Sequence, residues 1–299
     1  MRYVVTGAAG FIGSHLSEAL RAEGHDVLGI DCFTDFYDPA IKERNAQGLH
    51  VDRLDLVTEP LSFAGTDGVF HLAGQPGPAR SFEDFPLYLR RNVEASQRVF
   101  EAAARDGVRV VFASSSSVYG AVDRFPTPED AVPVPLSPYG VTKLAAEQLA
   151  AAFERSLGLD VVVLRYFSVF GPRQRPDMAF TRIAKALADG LPFDLHGNGT
   201  QTRGWTYVAD AVEATIAAMD GGKGIYNVGG GAEVSLCDAI AEFERLAGRR
   251  LDVRDQPAAR GDPARTSADT TRIEADLGWR PRTSFEDGAR AQWEWVLTT

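Results

Sequence analysis

The sequence has little of several features that would place it in other classes of protein. Only two cysteines, Cys32 and Cys237, occur among its 299 residues, and they are far apart and form no CxxC pair. A disulfide framework and a zinc site are therefore not expected. The five histidines show no metal-ligand spacing, so we predict no bound metal. No apolar stretch approaches the roughly 18 residues that a membrane span needs, and we expect no membrane association.

An excess of basic charge is also missing. The net charge of −10 argues against a nucleic-acid-binding face, although a local phosphate site needs only a few well-placed arginines. The N-terminus enters an apolar strand pattern at once, which leaves no room for a signal peptide. The composition therefore predicts a cytoplasmic globular protein with ample material for a core.

Apolar runs rich in β-formers alternate with helical patterns, which predicts an α/β fold with a doubly wound parallel sheet of the Rossmann type. The runs are continuous rather than alternating, as expected when helices cover both faces of the sheet. Beyond Gly171, proline, glycine and arginine become denser and the elements shorter. We predict one domain from residues 1–171 and 205–230, and a smaller α/β domain from residues 172–204 and 231–299. The predicted strands are residues 3–6, 26–30, 68–72, 108–113, 160–166 and 225–228, and the predicted helices are residues 12–23, 86–105 and 139–156.

A glycine-rich turn, TGAAGFIG at residues 6–13, joins the first strand to the first helix. Gly7, Gly10 and Gly13 have the spacing that allows a tight turn, close approach of backbone N–H groups to a pyrophosphate, and tight packing of the helix on the strand. Asp31 ends the second predicted strand, where an acid accepts hydrogen bonds from the adenosine ribose. Because that carboxylate would repel a 2′-phosphate, the pattern favours NAD over NADP.

A run of hydroxyls and a Tyr-x-x-x-Lys pair follow further along the chain. Ser114, Ser115, Ser116 and Ser117 come directly after a buried strand, at the edge of the sheet where α/β proteins bind ligands. Tyr139 and Lys143 are one helical turn apart and share a face. A tyrosine with a pKa of about 10 is a poor base at neutral pH. We expect the lysine ammonium and a nearby nicotinamide cation to stabilise the phenolate and to lower this pKa.

In these motifs, the chain resembles the extended short-chain dehydrogenase/reductase proteins that act on nucleotide sugars. The resemblance covers nearly the whole chain and includes ASSSSVYG at 113–120, SPYGVTK at 137–143, GNGTQTRGWTYVAD at 197–210 and ADLGWRP at 275–281. It implies that the first predicted domain binds NAD and that the second binds a nucleotide sugar. The positions that it assigns to the cofactor are Gly7, Gly10, Phe11, Ile12, Gly13, Asp31, Asp55, Leu56, Leu72, Ala73, Gln75, Ser114, Tyr139, Lys143 and Tyr166.

The resemblance also implies how the reaction starts. In this group, a tyrosinate takes the proton from the sugar 4-hydroxyl while the C4 hydride passes to NAD, and the hydroxyl residue at the position of Ser115 assists. Sugar 4,6-dehydratases carry Asp-Glu where this chain has Ser116 and Ser117. UDP-glucuronate decarboxylases carry Glu at the second of these positions and an Arg where this chain has Thr266. A serine cannot replace a carboxylate as a proton shuttle at pH 7, so we predict 4-epimerisation with Ser115, Tyr139 and Lys143 as the catalytic residues.

The segment FSVFGPRQRPDMAF at 167–180 looks most like the UDP-glucuronate 4-epimerases. The resemblance places Arg175, aided by Ser116, Ser117 and Ser168, at the sugar carboxylate. A 4-keto uronic acid is a β-keto acid, and a firmly held carboxylate can be turned away from the alignment that loss of CO₂ requires. The alternative for Ser116 and Ser117 is that they only form a tight turn. Arg203 and Arg260 are predicted to bind the diphosphate, because guanidinium groups suit paired phosphate oxygens.

Other functions stay open at this point. The chain could be an epimerase of neutral or N-acetylated UDP-hexoses, a decarboxylase or dehydratase, or a non-catalytic NAD-binding regulator, although such regulators commonly lack the Tyr-x-x-x-Lys pair. The resemblance also predicts a homodimer, because residues 86–105 and 139–156 correspond to the helices that form a four-helix dimer interface in the family.

Overall fold

A seven-stranded parallel sheet forms the centre of the protein, with the strand order β10-β6-β5-β4-β1-β2-β3. The computed structural model describes residues 1–257 and 263–299. Its strands are β1 (Arg2–Thr6), β2 (Asp26–Asp31), β3 (His50–Arg53), β4 (Gly68–His71), β5 (Val110–Ser115), β6 (Val161–Tyr166), β7 (Ser168–Phe170), β8 (Phe193–His196), β9 (Thr202–Tyr207), β10 (Gly224–Val228), β11 (Glu233–Ser235), β12 (Val253–Gln256) and β13 (Arg265–Thr266). The predicted α/β class with a doubly wound parallel sheet is confirmed.

Helices cover both faces of this sheet. In chain order, the helices of the described residues are α1 (Phe11–Ala22), α2 (Pro39–Asn45), α3 (Phe85–Tyr88), α4 (Ala95–Asp106), α5 (Pro138–Leu157), α6 (Ala179–Asp189), α7 (Val208–Gly221), α8 (Leu236–Ala247), α9 (Thr271–Leu277) and α10 (Phe285–Val296). Of these, α6, α8 and α10 belong to the smaller unit rather than to the faces of this sheet. Val5 of β1 belongs to the core shared with α1 and α7, whereas its neighbour Val4 belongs to the core shared with α4 and α5. Because successive strand residues point to opposite faces, the continuous apolar runs supply both cores.

The six predicted strands of the main sheet are all present, with ends within two residues of the prediction. Strand β3 was not predicted, because HVDR carries only one apolar residue and lies at the sheet edge with mostly exposed side chains. The helix predicted over residues 86–105 is a composite of α3, a π-helical turn at Leu89–Glu94 and α4.

A smaller unit is built around a second sheet, in which β9 pairs with β7, β11 and β13. Strands β8 and β12 form a separate parallel pair. An aromatic core that includes Phe170, Phe180, Trp205 and Phe285 lies among α6, α8 and α10. The predicted domain limits stay a prediction. Pairing places β7 and the whole of β9 in the smaller sheet, although the first domain was predicted to include residues 168–170 and 205–207.

Helix α5 is tied to the sheet by a buried ion pair. Arg165 of β6 donates through Nε and Nη2 to the carboxylate of Glu147 at 3.0 and 2.7 Å, and both side chains are less than 5% exposed. Arg165 also donates to the hydroxyl of Tyr119 at 2.9 Å. The pair therefore fixes the helix that carries Tyr139 and Lys143 against the end of the sheet.

None of the helices in the described ranges is long and apolar enough to cross a membrane. The predicted homodimer stays a prediction. Leu89 and Val141, which lie on the two segments implicated by the resemblance, leave large parts of their apolar side chains exposed.

The buried pair gives a stability prediction. Arg165→Met removes one partner and leaves the Glu147 carboxylate buried without its counter-charge, which should lower the free energy of unfolding by about 3–5 kcal/mol. Urea denaturation followed by tryptophan fluorescence measures this loss. The control is Arg245→Met, because Arg245 forms a comparable bidentate pair with Glu242 but is 58% exposed; its loss should be far smaller, because solvent screens an exposed pair. Equal losses in the two variants would contradict this assignment.

Candidate active site

A cleft of about 400 Å³ opens at the carboxyl ends of the central strands. Loops that follow β1, β2, β4, β5 and β6 all contribute to its walls, as expected for a parallel sheet with its ligand site at the strand ends. The predicted site residues that line it are Gly7, Gly10, Phe11, Ile12, Gly13, Asp31, Leu56, Leu72, Ala73, Gln75, Ser114, Ser115, Ser116, Ser117, Tyr139, Lys143, Tyr166, Ser168 and Arg175.

The glycine turn has the shape that a pyrophosphate requires. Gly7 has φ +73°, and a Cβ there would lie 2.8 Å from the backbone nitrogen of Ala73. A Cβ on Gly13 would lie 2.1 Å from the carbonyl oxygen of Gly7. Gly10 precedes α1, whose first turn has neither a side-chain cap nor an acidic residue. Its N–H groups and the positive end of its dipole are thus available to an anion, so the residues present fit a dinucleotide.

Asp31, which was predicted to meet the adenosine ribose, is almost fully buried. Its carboxylate accepts from the backbone N–H of Ala9 at 3.2 Å and of Phe33 at 2.8 Å. Lys42, which sequence reasoning missed, places its Nζ 3.8 Å from Asp31 and donates to Thr34 at 2.9 Å. A single lysine within a short polar helix gives no signal in the sequence that it is buried at a ligand site.

Asp55, predicted to face the adenine, does not line the cleft. Its carboxylate accepts from the backbone N–H of Val57 at 2.9 Å and from Arg91 at 2.6 Å. Arg91 itself does line the cleft, and it is a second residue that sequence reasoning missed. The predicted role of Asp55 stays a prediction, and the contacts assign it at least the orientation of Arg91.

Gln75 supplies a further test of the fit. It is 3% exposed, and its backbone exchanges hydrogen bonds with the Asn92 side chain at 2.6 and 3.0 Å. Its side-chain Nε2 has no partner of good hydrogen-bond geometry within the described residues, although the Gln75 side chain interacts with Tyr88 and opposes the rise that burial causes in the pKa of that phenol. Since a buried amide without a well-formed hydrogen bond is costly, this donor is suited to a ligand atom.

Tyr139, Ser115 and Lys143 come together at the end of β5. Ser137 caps the N-terminus of α5 and accepts from the Gly140 N–H at 3.2 Å, which begins the helix just before Tyr139. Lys143, one turn later, donates from Nζ to the carbonyl oxygen of Ala113 at 2.9 Å. The predicted catalytic residues therefore share one wall of the cleft.

Burial dominates the protonation of this group. It raises the pKa of Tyr139, while the Ser115 hydroxyl, by hydrogen bonding, and the positive charge of Arg175 act to lower it. Lys143 is directed to the backbone carbonyl of Ala113, and the expectation that it and a bound nicotinamide together lower the pKa of Tyr139 stays a prediction. Burial also lowers the pKa of Lys143 to about 8, against the charge of Glu147. Glu147 is therefore a positioning residue that sequence reasoning missed.

Ser114 is engaged by the same carboxylate. Its hydroxyl donates to Glu147, and the side chain is almost fully buried. Ser114 therefore links the buried ion pair to the cleft wall. Its predicted cofactor contact stays a prediction.

The remaining serines form a turn and line two cavities at once. Ser116–Val118 is a single 3₁₀ turn, capped by the Ser115 hydroxyl, which accepts from the Ser117 N–H at 3.2 Å. Ser116, Ser117 and Ser168 line the main cleft and also a second cavity of about 180 Å³. Ser116 and Ser117 therefore do form a tight turn, and they also lie at the junction of the two cavities. Their predicted contact with the sugar carboxylate stays a prediction.

Arg175 lies on a loop that is fixed at several points. The Gly171 N–H donates to Gln292 at 3.0 Å, and Arg173, in the left-handed region at φ +61°, donates to Glu18 of α1 at 2.7 Å. Arg175 donates to both carboxylate oxygens of Asp177 at 3.0 Å each. Asp177 was not predicted as a site residue, although it stands two positions after Arg175.

The predicted diphosphate residues differ in what the structure describes. Arg203 of β9 lines the second cavity together with Arg265 and Thr266, and its Nη1 donates to the Thr202 carbonyl at 2.7 Å. Arg260 lies outside the described residues. Ser116, Ser117 and Ser168 line both cavities, so the second cavity continues from the main cleft. This arrangement gives room for a substrate that extends from the cleft towards Arg203.

The fold, the glycine turn and the Tyr139–Lys143 pair with Ser115 define a dinucleotide-dependent enzyme that oxidises and reduces a hydroxyl-bearing carbon. The family model of the NAD dependent epimerase/dehydratase family matches residues 3–229. The chain belongs to this family, and its cofactor is NAD.

Individual relatives are similar over almost their whole length. The UDP-glucuronate 4-epimerase of Thermodesulfobacterium geofontis is 35% identical, with 98% of this chain and 95% of that protein covered. The crystal structure of UDP-glucuronic acid 4-epimerase from Bacillus cereus with UDP-glucuronic acid and NAD has a TM-score of 0.96 at 36% identity, covering 100% of this chain and 99% of that one. MoeE5, solved with UDP-glucuronic acid and NAD, has a TM-score of 0.92 at 42% identity over 100% and 99% of the two chains. The protein is an isomerase, an NAD-dependent 4-epimerase of UDP-sugars.

The glycine turn gives a prediction for cofactor binding. Gly13→Ala places a methyl group against the Gly7 carbonyl and must shift the turn, so NAD affinity should fall by about tenfold or more. Isothermal titration with NAD measures this, with circular dichroism to confirm folding. Gly221→Ala is the control, because its added methyl would meet only Leu277 at 3.7 Å. Unchanged NAD affinity in Gly13→Ala would contradict the assigned pyrophosphate site.

Proposed function

We propose that the protein interconverts UDP-glucuronate and UDP-galacturonate by oxidation at C4 and reduction on the opposite face. The observation that carries this proposal is that one cleft holds both Tyr139 with Lys143 and a second polar group. That second group consists of Arg175, Ser116, Ser117 and Ser168. Guanidinium forks and hydroxyls are suited to a carboxylate, and a uronate carries its carboxylate on C5, the ring carbon next to C4.

Tyr139 is placed to act as the base for the 4-hydroxyl proton. Because burial holds the tyrosine protonated in the absence of compensating charge, the positive charge of Arg175 and the Ser115 hydroxyl are the protein's means of favouring the phenolate. Bound NAD supplies the acceptor and the donor of hydride. Ser115 supports proton transfer at the same oxygen, and Lys143 contributes a cationic donor beside it.

The lack of an acid–base partner at the sugar end supports epimerisation over elimination or decarboxylation. Among the described residues that line the two cavities, the one carboxylate is Asp31 at the adenosine end. Asp177 is held by both oxygens on Arg175 and lines neither cavity. Thr266 lies in the second cavity, at the position where the resembled decarboxylases carry an arginine. Among the described residues, a 4-keto sugar formed here therefore meets no carboxylate that could move a second proton.

Epimerisation of a neutral UDP-hexose is the second candidate. MoeE5 has also been solved with UDP-glucose and NAD, at 41% identity and a TM-score of 0.91. The Asp177 carboxylate favours this candidate as well, because it neutralises Arg175 without any substrate anion.

Product analysis tests the reaction. Purified protein incubated with UDP-glucuronate and NAD should give UDP-galacturonate, seen by NMR as a change of configuration at C4. Tyr139→Phe removes the base and should lower kcat by roughly a hundredfold or more, while its NAD affinity stays near that of the wild type. A pentose product or CO₂ in quantity would instead establish decarboxylation.

Arg175→Ala separates the uronate from the neutral hexose. The substrate carboxylate would lose its charged partner, so kcat/KM for UDP-glucuronate should fall by roughly a hundredfold, a cost of about 3 kcal/mol. Turnover of UDP-glucose, if present in the wild type, should lose only the help that Arg175 gives to the Tyr139 phenolate, so the ratio of kcat/KM for UDP-glucuronate to that for UDP-glucose should fall. Equal losses of kcat/KM for both substrates would show that Arg175 does not bind the substrate carboxylate.

A further inference from the structure

We propose that Asp177 sets the preference between acidic and neutral sugars by acting as an internal counter-ion for Arg175. The inference rests on the proposed function, because it concerns the arginine that is assigned to the uronate carboxylate. It adds a specificity-determining residue that does not itself carry out the reaction.

The geometry of the pair divides the guanidinium into two edges. Asp177 accepts from Nε and Nη2, each at 3.0 Å, and so occupies one side of the fork. A guanidinium has five N–H donors, so the end formed by Nη1 and the outer hydrogen of Nη2 stays available. The turn between the two residues is closed by the Met178 N–H, which donates to the Arg175 carbonyl at 3.1 Å. Arg175 therefore lines the cleft with one edge of its guanidinium already paired with the Asp177 carboxylate.

The exposure of the two side chains shows where this charge is balanced. The Arg175 side chain is 20% exposed and lines the cleft, whereas the Asp177 side chain is 38% exposed and is not part of the cleft lining. A substrate entering the cleft therefore covers Arg175 while Asp177 keeps its contact with water. The pair can stay intact when either kind of sugar binds.

The two kinds of sugar should respond in opposite ways to this counter-ion. A neutral hexose covers Arg175 with a hydroxyl, and without Asp177 that would bury a cation with no opposing charge. A uronate brings its own negative charge. Asp177 repels that charge and competes with it for Arg175. Asp177 therefore favours neutral sugars and restrains the affinity for uronates.

The effect should reach the catalytic base as well. The charge of Arg175 acts to lower the pKa of Tyr139, and Asp177 offsets that charge. Removal of the carboxylate should therefore lower the pKa of Tyr139 further. Activity that requires the phenolate would then persist to lower pH.

Asp177→Asn tests the inference, because it keeps the shape and removes the charge. Calorimetry with NAD present gives the dissociation constants of UDP-glucose and of UDP-glucuronate. The quantity compared between variants is the constant for UDP-glucose divided by the constant for UDP-glucuronate. This ratio should rise by about tenfold, and the acidic limb of the kcat profile for UDP-glucuronate should move to lower pH. An unchanged or smaller ratio would overturn the inference, since a residue that only orients Arg175 would weaken uronate binding when it is lost.

Two further variants control the result. Asp177→Glu keeps the charge and should retain a ratio close to that of the wild type, whereas a ratio like that of Asp177→Asn would overturn the inference. Glu242→Gln removes a carboxylate from another bidentate arginine pair, with Arg245 at 2.6 and 2.8 Å on α8, and should change neither the ratio nor the pH profile. If the wild type fails to epimerise UDP-glucuronate, the proposed function falls and the inference with it. If the wild type does so and only the ratio fails, the inference falls alone.

Discussion

Burial of the Tyr139–Lys143 pair at the end of β5 is the constraint on which the site depends. Desolvation favours the neutral form of each side chain, so it raises the pKa of the tyrosine and lowers that of the lysine to about 8. Every nearby charge then has a large effect on these two pKa values. Arg175 on one side and Glu147 on the other oppose the two shifts, and the chemistry of the cleft is set by how these charges are held.

The rest of the structure holds those charges in place. The buried bond between Arg165 and Glu147 fixes helix α5 against β6, and it brings a carboxylate within one helical turn of Lys143. The contact of Arg173 with Glu18 connects the loop of Arg175 to helix α1, which begins at the glycine turn. The positions assigned to cofactor and sugar are thus parts of one framework, and the specificity proposed for Asp177 depends on its rigidity.

Much of the site could be predicted from the sequence because its signals are local. The glycine turn and the Tyr-x-x-x-Lys pair each fit within one turn of helix or one loop, and parallel strands bring their ends to one edge of the sheet. The sequence could not show that Lys42 is buried, that Lys143 is directed to a carbonyl rather than to the tyrosine, or that Asp177 occupies Arg175. These depend on side-chain direction and burial. Strand β3 was missed because a polar edge strand has no apolar run.

The central claim is that one carbon is oxidised and reduced again within a closed site, with no second acid–base step. Turnover of UDP-glucuronate in D₂O, with NMR and mass analysis of the product, tests this most directly. The account predicts that the hydrogen on C4 of the product is the one that the substrate brought, with no solvent deuterium at C4 or C5. Deuterium at either carbon would contradict it, because a second proton transfer would then accompany the reaction.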